Sequence, residues 1–127
     1  MIEAMHTAIA GLRSNSTRLG TAAENIVNAR SSGRLDIYDG YKPKVFQQTT
    51  DAVGRPRAVV KTSDTPFFPA YAPNDPSANG DGIVGMPNVS LPSQFVEFGV
   101  AQRSYAANIA VLEATNEMVK LLVDRDV

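Results

Sequence analysis

Few side chains in this sequence could run a reaction, and they are scattered. His6 is the only histidine, and there is no cysteine. Disulfides, zinc-thiolate sites and thiol nucleophiles are excluded by composition. A Ser-His-Asp arrangement would have to use His6. That residue falls one turn into a helical pattern, with no carboxylate pair beside it, and no serine stands in a glycine-flanked elbow. Glu113 and Glu117 are spaced i, i+4, as a solvated helix pair is. The stretch Asp75-Pro-Ser77-Ala-Asn79-Gly80 has the outline of a calcium loop. Its third position holds Ser77, however, and its twelfth, which needs a bidentate glutamate, holds Met86. It reads as a turn-rich connection. Lys42, Lys44, Arg55, Arg57 and Lys61 make the middle of the chain locally basic. Binding single-stranded nucleic acid would need aromatic platforms among them. Tyr41 and Phe46 are the only candidates, and Phe46 reads as inward-facing. A solvated or partner-facing hairpin is expected instead. No glycine loop suited to phosphate is present. No catalytic residue, no cofactor-binding residue and no metal ligand is assigned.

The bulk properties lead away from chemistry too. At 127 residues the chain makes one domain, or one domain with an insertion. A net charge of −1 gives no general attraction to nucleic acid or to an anionic membrane. No run approaches the roughly 18 apolar residues of a membrane span, so no lipid-embedded segment is expected. Glu3 and His6 interrupt the N-terminal apolar residues and no basic leader precedes them, so no cleaved signal peptide is expected.

The chain divides into three stretches. Residues 1–33 read as a helix from about Ile2 to Arg30, rich in Ala, Leu, Ile and Asn. The Ser31-Ser32-Gly33 cluster stops it, with Gly33 as the C′ residue. Asn15, Ser16 and Thr17 lower its intrinsic propensity, and alone in water it would be marginal. Residues 34–89 hold nearly all the prolines and turn signals. Tyr41 to Thr50 and Arg57 to Thr62 predict two short strands joined at Gly54-Arg55-Pro56 as a hairpin. Pro66 to Pro73 reads as extended, proline-stiffened chain, and Ile83-Val84 as the start of another short strand. Residues 90–127 read as a second helix to about Asp124, with Ser90 as N-cap and Pro92 in the first turn. The fold class expected is α+β, mainly α. Paired, coiled-coil-like terminal helices flank a small inserted β-hairpin and extended segment.

Periodicity suggests what the helices are for. Met5, Leu12, Leu19 and Ile26 recur every seventh residue, with Ile2, Ile9, Ser16 and Ala23 beside them. Leu91, Phe98, Tyr105, Leu112 and Val119 do the same near the other end, with Phe95, Ile109 and Val123 alongside. Such rows make a seam on each helix. Two helices packed only on each other would leave much of each side chain wet. Further apolar residues lie off the seams: Val27, Val111, Met118, Leu121 and Leu122. They either pack on the β segment or meet other subunits. The middle segment is short and proline-rich, which favours other subunits. Asn25, Asn28 and Asn108 lie on or near these apolar faces. They are either register-fixing buried amides or polar flank positions.

Specific strings carry a family resemblance. Ala8-Ile-Ala-Gly11-Leu12, then Ala23-Glu-Asn25-Ile26-Val-Asn28-Ala29 and Ser31-Ser-Gly33, resemble the N-terminal signature of bacterial flagellar rod and hook proteins. The stretch from Tyr71 through Gly82-Ile-Val84 to Pro87-Asn88-Val89 is similar to the proximal-rod proteins of the FlgC family. The string Ala101-Gln-Arg103-Ser-Tyr105-Ala-Ala-Asn108 resembles their C-terminal helix. The resemblance covers both ends and the loop before the last helix, in order. It implies a non-enzymatic structural subunit of the periplasm-spanning rod, exported unfolded without a cleaved signal peptide, whose terminal helices order on assembly. It implies partners among copies of the same chain and other rod proteins. The membrane-ring and rod-adaptor proteins are further candidates. It assigns the seam residues to the assembly interface: Met5, Ile9, Leu12, Leu19, Asn25, Ile26 and Asn28, with Phe98, Tyr105, Asn108, Leu112 and Val119. The rival expectation is a self-folding helical adaptor or secretion chaperone.

Overall fold

Two long helices and two β-hairpins make up the computed structural model, which describes residues 1–125; the last two residues of the 90–127 segment lie outside the described residues. Helix α1 spans Ile2–Val27, and helix α2 spans Leu91–Arg125. Strands β1 (Lys44–Thr50) and β2 (Pro56–Thr62) form one antiparallel hairpin, in register from Lys44 opposite Thr62 to Thr50 opposite Pro56. Strands β3 (Phe67–Tyr71) and β4 (Ile83–Pro87) form a second, with Pro69 opposite Gly85. The chain is α+β and mainly helical, with the β elements between two terminal helices that pack on each other.

The first hairpin closes where the turn chemistry directs it. The Asp51 carboxylate accepts the backbone N–H groups of Val53 and Arg55 at 3.0 and 2.9 Å. Gly54 takes φ +81°, open to glycine at no steric cost. The second hairpin was foreshadowed only as extended chain and a strand start; proline is tolerated there because a two-stranded ribbon leaves an edge free of ladder bonds. Its loop is tied by side chains in place of a metal ligand set. Asn79 Oδ1 accepts the N–H groups of Asp81 and Ile83, and Asp75 accepts the N–H of Ser77 and the hydroxyl of Ser32. Hydrogen bonding from Ser32, then from Ser77, holds the Asp75 carboxyl below the usual carboxylate range.

Helix α1 stops earlier than its sequence suggests. Asn28 is the C-cap, and its side chain donates back to the Glu24 carbonyl at 2.9 Å. Gly33 is not the left-handed C′ residue, since only Gly54 and Gly82 have positive φ among the described glycines. It forms an antiparallel bridge to Gly85, with paired N–H···O bonds of 2.9 and 2.8 Å. A Cβ at Gly85 would lie 2.7 Å from the Tyr38 ring, so this crossing requires glycine. Tyr38 in turn stacks on Phe67 at 4.1 Å between centroids and anchors the middle of the chain.

Candidate assembly interface

The line along which α1 meets α2 is built from small and polar residues. Ala8, Gly11, Asn15, Ala22 and Asn25 are buried on α1, and Ala101 and Thr115 on α2, with Asn108 half-buried between them. These too repeat by sevens: Ala8, Asn15 and Ala22 on one helix, Gln94, Ala101, Asn108 and Thr115 on the other. Small side chains let the backbones approach. At Gly11 a Cβ would fall 2.6 Å from Asn108 Oδ1. Three of the polar members bond back to their own helix. Asn15, Asn108 and Thr115 donate to the carbonyls four residues earlier, at 2.9, 2.8 and 2.7 Å. That occupies a donor on each while leaving its carbon surface for packing.

The large apolar rows flank this line. Met5, Leu12, Leu19 and Ile26 are half-buried, as are Phe98, Leu112 and Val119. Ile9 and Tyr105 cross into exposure. Each row is displaced from its helix's contact line in the same rotational sense. In an antiparallel pair, that places both rows on one side. Their companions face outward: Ile2, Phe95, Ile109 and Val123, with Phe95 59% exposed. A further exposed series runs along α2 through Val96, Val100, Val111, Met118 and Leu121, broken only by Arg103 and small residues at the intervening positions. α2 is thus apolar on more than one face, the pattern of a helix that is surrounded.

Asn25 joins three elements. It is 1% exposed and uses its full hydrogen-bonding capacity, two donors and two acceptor lone pairs. Nδ2 donates to the Lys44 carbonyl at 2.7 Å and to Gln94 Oε1 at 3.0 Å. Oδ1 accepts the Tyr41 hydroxyl at 2.8 Å and the Lys44 N–H at 2.9 Å. Its amide therefore holds the start of β1 as a neighbouring strand would, while tying α1 to α2. Around it, the Arg18 guanidinium meets Glu97 at 2.6 Å and lies 5.5 Å from the centroid of the Phe46 ring. Lys44 pairs with Glu24, and the hydrogen bond its ammonium donates to that carboxylate, reinforced by the carboxylate's charge, raises the Lys44 pKa. Burial pushes the Tyr41 phenol up. By contrast, Asn28 is half-buried and bonds only locally, to Glu24 and Ser31.

Of the twelve residues assigned from sequence, the structure gathers Asn25, Asn108, Phe98, Leu112 and Val119, with Met5, Leu12, Leu19 and Ile26, in or beside the α1–α2 contact. Ile9 and Tyr105 stand at its open side, and Asn28 stands past the end of α1. Sequence reasoning missed Ala8, Gly11, Asn15, Ala22, Ala101 and Thr115. Their seven-residue repeat was visible, but it is written in small and polar letters. It also missed the Arg18–Glu97 pair. His6 is exposed, and no group of three or more metal-ligating side chains occurs among the described residues.

No protein-family model matches the chain. Curated proteins do. It is 38% identical over 120 residues to the flagellar basal-body rod protein FlgC of Agrobacterium fabrum, spanning 90% of this chain and 86% of that protein. It is 35% identical over 113 residues to the FlgC of Salmonella typhimurium, spanning 85% and 84%. The FlgC of Bacillus subtilis is 32% identical over 100 residues, spanning 79% of this chain and 57% of that protein.

Proposed function

The chain belongs to the FlgC family of flagellar basal-body rod proteins, structural subunits of the rod, and from that membership we propose how it assembles. Residues 1–33 and 90–127 form the assembly core. The faces that α1 and α2 leave uncovered are the surfaces on which copies of this chain and other rod proteins pack. Residues 34–89 form a small β element outside that core. The contacts are heterologous, so they extend a tube and do not close a dimer. The rod crosses the periplasm, and the packed helices transmit torque; no turnover is involved. Membrane-ring and rod-adaptor proteins are further candidate partners.

One observation carries this reading: the distribution of apolar side chains on α2. Its tightest contact with α1 uses Ala101, Asn108 and Thr115, while Phe95, Val96, Val111, Met118, Leu121 and Leu122 stay exposed. Large apolar residues left outward along a helix are what an assembling surface needs. Among the described residues no helix is long and apolar enough to cross a membrane.

The test is motility in the source cell. Leu12→Asp and Leu112→Asp place a carboxylate in the flanking rows and should abolish swimming and rod completion with the protein still present by immunoblot. Leu112→Met, close in volume, should retain both. Unchanged swimming in Leu112→Asp cells would count against the assembly surface. A purified chain that melts cooperatively as a compact monomer and stays absent from isolated basal bodies would favour the adaptor reading.

A further inference from the structure

A groove of 600 Å³ opens between α1 and the first hairpin, on a face of α1 that α2 does not use. Ala10, Arg13 and Ser14 stand on its α1 side, and Arg55, Arg57 and Ala58 on its hairpin side. Two buried side-chain polar atoms lack a hydrogen-bond partner among the described residues, Ser14 Oγ and Arg55 Nε. Both residues line this one groove. Ser14 is 2% exposed. Neighbouring Thr17 and Thr21 return their hydroxyls to helix carbonyls at 3.1 and 2.9 Å, and Ser14 does not. Arg55 Nε lies 3.2 Å from Asp51 Oδ2, out of line for a hydrogen bond. Buried donors are seldom left unpaired in a finished structure. Two in one groove point to a ligand that accepts hydrogen bonds.

The charges select the same ligand. Arg13 and Arg57 are exposed, and neither has an ion-pair partner among the described residues. Asp51 is the one carboxylate on the lining. It is already engaged by the Arg55 guanidinium and by the N–H groups of Val53 and Arg55. The whole chain carries a net charge of −1, so the cationic character belongs to the groove and not to the surface at large. The ligand is therefore an oxyanion, and the walls decide what carries it. Ala10, Pro56 and Ala58 offer carbon surface that a side-chain stem covers and a free inorganic ion does not. No glycine lines the groove to present backbone N–H groups to a phosphate. In a rod, the bodies that reach this face are protein chains.

We propose that the groove between α1 and the first hairpin receives an acidic segment of a neighbouring rod subunit, its carboxylates on Arg13 and Arg57, its side-chain stems on Ala10 and Ala58, and one acceptor on the Ser14 hydroxyl. The proposal rests on the assembly reading above and gives the chemistry of one of its contacts. The two arginines stand on different elements, α1 and β2, so the bound acid also clamps the hairpin to the helix. Charge-assisted hydrogen bonds from guanidinium groups fix the register of the incoming segment and reject a basic one.

The test uses assembled rods in the source cell. Gln48 pairs with Ala58 across the hairpin and is exposed, but it does not line the groove. Replacing it with a benzophenone-bearing phenylalanine places a photo-crosslinker at the groove's edge; exposed Thr49, opposite Arg57, is the second position should the first fail to assemble. Cells that swim are irradiated, and the joined peptides are sequenced by mass spectrometry. The expected product is a segment of a rod subunit, this chain or another, with Asp or Glu within one helical turn of the crosslink. Combining Arg13→Glu with Arg57→Glu should cut its yield about tenfold or more, with the protein still present by immunoblot. Arg13→Lys with Arg57→Lys should keep most of it. Changing the mapped acidic residues to Arg should restore the yield to the charge-reversed chain. A product mapped to a segment without acidic residues, a product with lipid alone, or swimming cells with no product from either position would overturn the proposal. So would a yield indifferent to the charge reversal. Each of these leaves the rod assignment standing. Loss of that assignment would show separately, as normal swimming in Leu112→Asp cells.

Discussion

Replacing Asn25 by alanine should loosen the chain at three elements at once, and the same change at Asn28 should do little. The two asparagines stand three residues apart in one motif, yet their surroundings differ. Asn25→Ala removes four hydrogen bonds, of 2.7–3.0 Å. It strands the N–H and C=O of Lys44, the Tyr41 hydroxyl and the Gln94 amide oxygen. At a net of about 1 kcal/mol per bond the loss would be about 4 kcal/mol. Water reaching Lys44 and Gln94 from the exposed side recovers part of it, which leaves about 2–4 kcal/mol. For a chain of this size that is a fall of about 8–16 °C in Tm. Asn28→Ala removes one local donor bond and one from Ser31, both at half-exposed atoms, and should cost under about 1 kcal/mol. Asn25→Asp separates the halves of the amide: the acceptor bonds survive, but a carboxylate then faces the Lys44 carbonyl and Gln94 Oε1. It should be no more stable than alanine. Thermal melts by circular dichroism rank the variants, and amide exchange at Lys44 localises the effect. A Lys44 amide equally protected in Asn25→Ala and the parent chain, or equal losses at the two positions, would refute the reasoning.

Other perturbations follow from the same contacts. Gly20→Ala should stabilise α1 by up to about 1 kcal/mol through helix propensity, because a Cβ there meets nothing within 4 Å. Gly11→Ala should forfeit that gain, since its Cβ must displace the Asn108 side chain; paired melts of the two variants check this. A double-mutant cycle on Arg18→Ala and Glu97→Ala should give a coupling of about 0.5–1 kcal/mol, modest because Glu97 is 41% exposed. Acid should loosen the loops before the helices. The Asp51 and Asp75 pKa values are lowered by the hydrogen bonds they accept, chiefly from the Arg55 backbone and the Ser32 hydroxyl. Their contribution is complete above the unfolded carboxylate value of about 3.9 and is lost as pH falls through the lower folded values. Nuclear magnetic resonance shifts of Val53 and Ser77 should therefore change below about pH 4, and in Asp75→Asn the Ser77 change should vanish.

How much of this was legible depended on whether a signal was local. The first hairpin announced itself through Gly54 and the alternating residues on either side. Helix α2 announced itself through Ser90 and Pro92. The pairing of β3 with β4 did not, because Pro69 argued against a strand and the ladder depends on a Gly33–Gly85 crossing distant in sequence. Gly33 read as a helix stop for the same reason: its role is set by Gly85, and nothing beside it in the chain says so. The helix seams were half legible. A heptad of Leu, Ile and Phe draws the eye, but the shortest approach lies where Gly11, Ala22 and Ala101 fall, and small residues give weak hydrophobic signals. The function came through strings such as Glu24-Asn25-Ile26-Val-Asn28, whose meaning is family resemblance. The structure adds why Asn25 belongs there: an amide is the one side chain able to satisfy both backbone groups of Lys44 and still reach Tyr41 and Gln94.

The division of side chains between the two kinds of contact has a physical logic. A contact within the chain forms once, at high effective concentration, and can be held by small residues whose polar groups are already bonded to their own helix. Ala8, Asn15 and Thr115 supply close approach without much apolar area, so the isolated pair stays weak. Contacts between chains must overcome the lost freedom of a whole subunit. They need the larger transfer free energy of Phe, Leu and Met, at about 1.5–3 kcal/mol for each side chain fully buried. A chain with those residues in its internal seam would fold tightly alone and offer neighbours a polar face. This chain has the arrangement reversed. In the assembly proposed above, Phe95, Val111, Met118 and Leu121 are covered by neighbouring subunits, and a rod built this way draws its rigidity from the contacts between chains.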